Sequence, residues 1–182
     1  MKIKLLVILL TAVMISITAA GCGINNNNAD TDGFPNLNSF TAVTLDGKAF
    51  NKQDLSGADL TMINIWSTTC GPCLREMPEL ADLEKTLPDN VNLITFCFDA
   101  SANPESVREV LSEAGFEGIT LTEGDGDLES LLLSIQYVPT SVFVDSNGNQ
   151  VGQAIIGAPN DPVEYYTQAI NDALDSLGKD QI

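Results

Sequence analysis

Histidine is absent from this chain of 182 residues, and cationic side chains are scarce. Lysine and arginine together number 8, against 25 aspartates and glutamates, which gives a formal net charge of −17 at pH 7. Such a surface repels the phosphates of nucleic acids and of anionic lipid headgroups. We therefore expect no nucleic-acid partner, and an attachment to a membrane would have to come from something other than a basic patch.

Cysteine is scarce as well, with four residues in the whole chain: Cys22, Cys70, Cys73 and Cys97. A structural zinc site takes four ligands, usually cysteine and histidine side chains. Because the chain has no histidine and only one Cys-x-x-Cys pair, it is short of ligands for such a site. We therefore expect no metal.

The most informative motif is Cys70-Gly71-Pro72-Cys73, which follows an apolar run at residues 60–66 and begins a helical pattern. Two thiols one helical turn apart can cycle between a dithiol and a disulfide. A cysteine in the first turn lies against unpaired backbone N–H groups and the positive end of the helix dipole, which favours the thiolate. We predict that Cys70 is the nucleophile and that Cys73 resolves the mixed disulfide formed at Cys70.

The N-terminus is typical of an exported protein, and we predict a lipoprotein signal peptide over residues 1–21. Two lysines precede an apolar stretch of signal length, which lacks the flanks of a stop-transfer helix. The junction Ala19-Ala20-Gly21-Cys22 resembles a bacterial lipobox, in which the cysteine is lipidated. The alternative is an ordinary signal peptide cut near Ala20. With either reading the protein acts outside the cytoplasm, and lipid on Cys22 would anchor it to the bacterial cell membrane.

Residues 22–33 are rich in asparagine and poor in apolar side chains, which predicts a flexible tether. Residues 34–182 have the length of one domain. Their patterns predict, in order, a hairpin over 40–50, a strand over 60–66, a helix over 74–87 kinked at Pro78, a strand over 91–98, a helix over 104–114, a short strand over 119–121, a helix over 128–135, a second hairpin over 141–156 and a helix over 162–177. Strands alternating with helices indicate an α/β fold with a mixed sheet covered on both faces.

Three segments together resemble one known family: residues 65–78, which hold the two cysteines, Val138-Pro139-Thr140, and residues 143–148. They are similar to those of the TlpA/ResA-like membrane-anchored thioredoxins of the thioredoxin superfamily, over nearly all of residues 34–177. The resemblance implies a thioredoxin-like fold, a central mixed β-sheet flanked by helices, here with an N-terminal β-hairpin extension. It also implies that Pro139 is a cis proline facing the cysteine pair.

The resemblance assigns further site residues. Glu76 matches the family's glutamate, which modulates the proton affinity of the cysteines and proton transfer. Cytoplasmic thioredoxins carry a buried aspartate where this chain has Asn64, and because asparagine cannot take up a proton, Glu76 is the better acid–base candidate. Substrate contacts are assigned to five residues: Trp66, Gly71, Pro72, Val138 and Pro139. Thr69 departs from the family, where a second tryptophan commonly precedes the first cysteine.

Cys97 remains as an unassigned thiol, between Phe96 and Phe98 in a strand pattern. Its simplest interpretation is a small buried apolar residue. The alternative is a thiol near the carboxyl end of its strand, close enough to the active site to be glutathionylated or to form an alternative pair.

Taken together, these features predict an extracytoplasmic, membrane-anchored thiol-disulfide oxidoreductase that reduces protein disulfides. It would need no cofactor besides the redox-active Cys70–Cys73 disulfide, and it would be a monomer. The family implies substrates such as the cysteines of apocytochrome c, hence a role in cytochrome c biogenesis, or extracellular methionine sulfoxide reductases, with electrons from a CcdA-type membrane donor. One alternative is a peroxiredoxin-like thiol peroxidase, which is disfavoured because Ile63 stands where such enzymes need proline. The other is a noncatalytic lipoprotein with a static disulfide, which is disfavoured because a disulfide that closes so short a loop stabilises the protein little.

Overall fold

The fold comes from a computed structural model that describes residues 33–182; Cys22, the predicted signal peptide and all but the last residue of the predicted tether lie outside this range. The elements are β1 (Phe40–Thr44), β2 (Ala49–Asn51), α1 (Lys52–Leu55), β3 (Leu60–Trp66), α2 (Gly71–Glu84), β4 (Val91–Cys97), α3 (Pro104–Ala114), β5 (Thr120–Gly126), α4 (Asp127–Ser134), β6 (Thr140–Asp145), β7 (Ile155–Ile156) and α5 (Pro162–Ser176). The strands form one sheet in the order β2-β1-β5-β4-β3-β6-β7.

Strand β3 lies within this sheet between two partners of opposite direction. It pairs in parallel with β4 and antiparallel with β6, and all seven of its residues are buried. Burial on both faces explains why apolar residues occur on both sides of this strand, with Thr61 and Asn64 as its two polar residues, because a strand exposed on one side alternates apolar with polar residues. The structure therefore confirms a mixed α/β sheet, and the antiparallel pairing of β1 with β2 confirms the N-terminal hairpin.

The core has two parts, one on each face of the sheet, and successive residues of β3 contribute to opposite parts. Met62 and Trp66 pack in the cluster that includes the buried faces of α2, α3 and α5. Ile63 and Ile65 pack in the other cluster, together with residues of α1 and α4. As a result, side chains on both faces of the sheet fix the end of β3. The following loop and the start of helix α2 therefore have a defined position at the carboxyl end of this strand.

Strand β5 is longer than the sequence predicts, since it runs to Gly126 rather than ending at Leu121. Its second half, Glu123-Gly124-Asp125-Gly126, has the composition of a turn. Antiparallel pairing with β1 supplies partners for its backbone and joins the N-terminal hairpin to the rest of the sheet. Gly126 has a φ of 70°, and a Cβ there would lie 2.6 Å from the carbonyl oxygen of Ser39, so the close approach of the chains requires glycine.

Other boundaries differ from the predictions for local reasons. The second arm of the hairpin predicted over 141–156 is reduced to a single bridge between Gln150 and Val144 and the two residues of β7. The short helix α1 was not predicted, and Asn51 and Asp54 stabilise it by a capping box. Helix α2 begins at Gly71 rather than at residue 74, because proline is well accommodated in the first turn, and it continues through Pro78.

Candidate active site

The two motif cysteines lie at the end of the loop between β3 and α2 and in the first turn of α2, and a disulfide joins them. Cys70 is the N-cap residue of α2, and its Sγ accepts a hydrogen bond from the backbone N–H of Cys73 at 3.2 Å. Cys70 is partly exposed, whereas Cys73 is fully buried. A group that approaches from solvent therefore reaches the sulfur of Cys70 and not that of Cys73.

The electrostatic setting of Cys70 favours a thiolate once the disulfide is reduced. The first turn of α2 contains no acidic residue that would oppose a negative charge. The N-terminal backbone N–H groups and the helix dipole both stabilise an anion at this position. The same N–H of Cys73 that contacts the disulfide sulfur can therefore donate to a thiolate at Cys70.

The segment around Pro139 lies against the cysteine pair, and the Val138–Pro139 peptide bond is cis. The carbonyl oxygen of Val138 lies 3.4 Å from Sγ of Cys70. Val138 is partly exposed and Pro139 is buried, while the preceding Tyr137 is 68% exposed. Gly71 and Pro72 are exposed beside Cys70 at the start of α2. These residues thus contribute to one surface around the accessible sulfur.

Trp66, which the sequence assigned to substrate contacts, is fully buried. It packs in the same core cluster as Cys73 and Met77, so it lies below the surface on which a substrate would rest. Its indole Nε1 has no hydrogen-bond partner. The side chain therefore supports the site from inside and offers no surface to a substrate in this structure.

Glu76 lies one turn after Cys73 in α2 and is only 2% exposed. Asn64 donates a hydrogen bond from Nδ2 to Oε1 of Glu76 at 2.8 Å, and the Tyr166 hydroxyl donates to Oε2 at 3.4 Å. Burial raises the pKa of Glu76 from 4.5 to about 7, although both hydrogen bonds act to lower it. A carboxyl group with this pKa can gain or lose a proton near neutral pH.

Cys97 is a free, fully buried thiol in β4, directly opposite Trp66 of β3. Its thiol donates to Oδ1 of Asp99 at 3.2 Å. Burial, together with the neighbouring Asp99 carboxylate, raises the pKa of Cys97 to about 12. This environment fits the interpretation of Cys97 as a buried apolar residue, because the thiolate, the reactive form, is strongly disfavoured.

Asp99 is a site residue that the sequence analysis missed. Its carboxylate accepts from the backbone N–H of Thr68 at 2.9 Å and also from the Thr68 hydroxyl. Burial acts to raise the pKa of Asp99, but the hydrogen bonds that its carboxylate accepts, first those from Thr68 and then those from Cys97 and its own backbone N–H, together lower the pKa. Asp99 thereby holds the loop that leads to Cys70. Its position just beyond the carboxyl end of a strand parallel to β3 is a signal that could have indicated this role.

Ser141 and Tyr166 were also missed, and both contact the Asn64–Glu76 pair. Ser141 is in β6, two residues after Pro139, and Tyr166 is in the closing helix α5. The helical pattern indicates that Tyr166 faces the core, but no local signal indicates which group its hydroxyl contacts.

Within residues 33–182, no cluster of three or more cysteine, aspartate or glutamate residues could hold a metal ion. No helix in this range is both long enough and apolar enough to span a membrane.

Comparisons with known proteins agree with this geometry. The family model described as Redoxin matches residues 29–170. The thiol-disulfide oxidoreductase ResA of Bacillus thuringiensis (strain Al Hakam) is 27% identical over 134 residues, which cover 72% of this chain and 75% of that protein.

Solved structures show the same fold. A thiol:disulfide interchange protein of the thioredoxin family from Chlorobium tepidum TLS is 23% identical, with a TM-score of 0.57 over 74% of this chain and 97% of that one. The exposed lipoprotein thioredoxin of Streptococcus pneumoniae strain TIGR4 is 18% identical, with a TM-score of 0.53 over 72% of this chain and 98% of that one.

Proposed function

This chain belongs to the Redoxin family and is a ResA/TlpA-like thiol-disulfide oxidoreductase, and from that premise we propose that it reduces protein disulfides outside the cytoplasm. One observation carries the proposal: the disulfide-bonded pair at the start of α2 has one accessible sulfur, at Cys70, and one buried sulfur, at Cys73. This asymmetry suits a nucleophile and a resolving thiol. A static bridge would not need it.

The proposed cycle starts from the dithiol and transfers two electrons. The Cys70 thiolate attacks one sulfur of a substrate disulfide, so that a Cys70–substrate bond forms and the other substrate sulfur leaves as a thiolate. Cys73, deprotonated, then attacks the Cys70 sulfur and releases the second substrate sulfur. The two leaving thiolates take up the two protons given up by the cysteines. The protein ends with the Cys70–Cys73 disulfide and needs no other cofactor.

Glu76 is proposed as the group that exchanges a proton with Cys73. Both side chains are buried, and their spacing of three residues places them on the same side of α2. Because Cys73 is shielded from solvent, its thiol needs a nearby acceptor to become the attacking thiolate. A carboxyl group with a pKa of about 7 is a suitable acceptor at neutral pH.

The proposed substrate surface consists of the exposed start of α2 and the backbone of Val138. The substrate chain would lie extended along Val138, whose backbone polar groups can pair with it as in strand addition. Gly71 and Pro72 would contact the substrate beside the accessible sulfur. Pro139 would hold Val138 in place from below, and Trp66 would support the same loop from the core.

Trapping with Cys73→Ala tests the reductase function. We expect this variant to accumulate mixed disulfides at Cys70, because the resolving step is lost, and to reduce insulin no faster than dithiothreitol alone. The trapped complexes should appear on non-reducing gels and disappear on reduction, and mass spectrometry of these complexes identifies the substrate. The matched Cys70→Ala variant should trap nothing.

Two results would favour the alternatives. A bridge that resists mild reductant, with no insulin reduction by the unmodified protein, would indicate a static disulfide. Consumption of hydrogen peroxide that requires Cys70, without insulin reduction, would indicate a peroxidase.

The location of the protein is part of the proposal and rests on the N-terminal sequence. Cleavage before Cys22 and lipidation of its thiol would anchor a monomeric domain to the membrane through the segment 22–33. A CcdA-type membrane protein would then be within reach to restore the dithiol. Apocytochrome c is one candidate for the substrate in such a position.

Fractionation of cells tests this anchor. The mature protein should sediment with membranes and carry acyl mass at Cys22, whereas Cys22→Ala should be released or keep its signal peptide. Soluble, unmodified protein with a free Cys22 thiol would contradict the anchor.

A further inference from the structure

Four buried polar side chains form a closed ring of hydrogen bonds behind the cysteine pair. Asn64 comes from β3, Glu76 from α2, Ser141 from β6 and Tyr166 from α5, and none is more than 2% exposed. Asn64 Nδ2 donates to Glu76 Oε1 at 2.8 Å and to Ser141 Oγ at 3.0 Å. The Ser141 hydroxyl donates to the Tyr166 oxygen at 3.2 Å, and the Tyr166 hydroxyl donates to Glu76 Oε2 at 3.4 Å.

The direction of these bonds is the informative feature, because all of them lead to the carboxylate. Each hydroxyl accepts one hydrogen bond and donates one, and the Asn64 amide donates twice. Once Glu76 is ionised, both of its oxygens can accept a hydrogen bond from this ring. The ring therefore stabilises the charged form of Glu76, in opposition to burial, which favours the neutral form.

We propose that Tyr166 and Ser141 are positioning residues that hold the Glu76 carboxylate and set the pH range over which it exchanges protons with the cysteine pair. The inference rests on the proposed acid–base role of Glu76. It gives the closing helix α5 a part in the reaction, since Tyr166 reaches the carboxylate from there. It also links Glu76 to the strand that follows Pro139, because Ser141 is the second residue of β6.

The surroundings of Glu76 limit which groups can affect its titration. Helix α2 itself brings the Cys70–Cys73 pair, α5 brings the phenol of Tyr166, and β3 and β6 bring Asn64 and Ser141, which do not titrate. Burial raises the pKa of Glu76, the hydrogen bonds from Asn64 and Tyr166 lower it, and no charged residue of α3 or α5 within residues 33–182 contributes. A change at Tyr166 should therefore be visible directly at Glu76.

The test is Tyr166→Phe in the full chain, with the carboxyl carbon of Glu76 followed by ¹³C NMR against pH and assigned by comparison with Glu76→Gln. Removing the hydroxyl removes a donor to the charged form, so the midpoint for Glu76 should move upward by roughly half a pH unit to one unit. The acid limb of the pH profile for insulin reduction should move in the same direction. Tyr165→Phe is the matched control, since it deletes a hydroxyl from an exposed neighbouring ring on the same helix. It should shift neither the midpoint for Glu76 nor the acid limb of the pH profile.

Ser141→Ala is the second variant, because it removes the donor to Tyr166 without touching Glu76 directly. We expect a smaller upward shift of the Glu76 midpoint. An unchanged midpoint in both variants would overturn the inference. The proposed function fails separately: if Glu76→Gln leaves the pH profile of reduction unchanged, the acid–base role of Glu76 is wrong, whatever the ring does to its titration.

Discussion

Limiting iodoacetamide added to the reduced protein at pH 7 should alkylate Cys70 at least about a thousandfold faster than Cys97. Cys97 is fully buried and its pKa is raised to about 12, so only about one molecule in 10⁵ carries its thiolate at pH 7. Cys70 is partly exposed and receives the N–H of Cys73 at the positive end of a helix. An ordinary thiol already ionises to a few per cent at this pH, and the helix increases that fraction. Peptide mass spectrometry of a time course measures the two rates.

The same experiment assigns the roles of the paired cysteines. Cys73 has no exposed surface, so it should react much more slowly than Cys70 even when both are reduced. Protein unfolded in denaturant serves as the control, because there Cys70, Cys73 and Cys97 should react at comparable rates. Faster labelling of Cys73 than of Cys70 in the folded protein would reverse the assignment of nucleophile and resolving thiol.

Sequence reasoning was sufficient where burial alone determines the pattern. The segment that forms β3 is mostly apolar on both of its sides, and the structure buries it on both faces of the sheet. The motif cysteines were predicted to lie at a helix start, and Cys70 is the N-cap residue of α2. These features depend on neighbouring residues in the chain, which is why a local pattern identifies them.

Features that depend on distant pairing were missed. Residues 123–126 have the composition of a turn and become a strand only because β1 pairs with them. Asp99 reaches Thr68 across 31 positions in the sequence, and Tyr166 reaches Glu76 across 90. The complete burial of Trp66 also depends on distant contacts, since helices from later in the chain cover this face of β3. Local propensity contains no information on such contacts.

The free energy of unfolding of the disulfide-bonded Glu76→Gln protein, measured relative to the unmodified protein, should rise by about 3 kcal/mol between pH 4.5 and pH 8. In the folded protein the pKa of Glu76 is raised from 4.5 to about 7, so between these values the native state keeps a proton that the unfolded chain releases. The free energy of unfolding therefore falls as the pH rises through this window, and the loss is complete above pH 7. Glutamine has no proton to lose and avoids this cost.

The measurement is urea unfolding of both proteins in the oxidised state at a series of pH values. Taking the difference between the two free energies at each pH removes the contributions of the other carboxyl groups, which both proteins share. Glu79→Gln is the matched control, because it removes the same charge from an exposed position of α2. The change in this difference between pH 4.5 and 8 should be much larger for Glu76→Gln than for Glu79→Gln, because only Glu76→Gln deletes a buried carboxyl group. If the difference in free energy of unfolding between Glu76→Gln and the unmodified protein does not change with pH, the Glu76 carboxyl group titrates as it does in the unfolded chain. The ring of Asn64, Ser141 and Tyr166 would then not surround a buried acid.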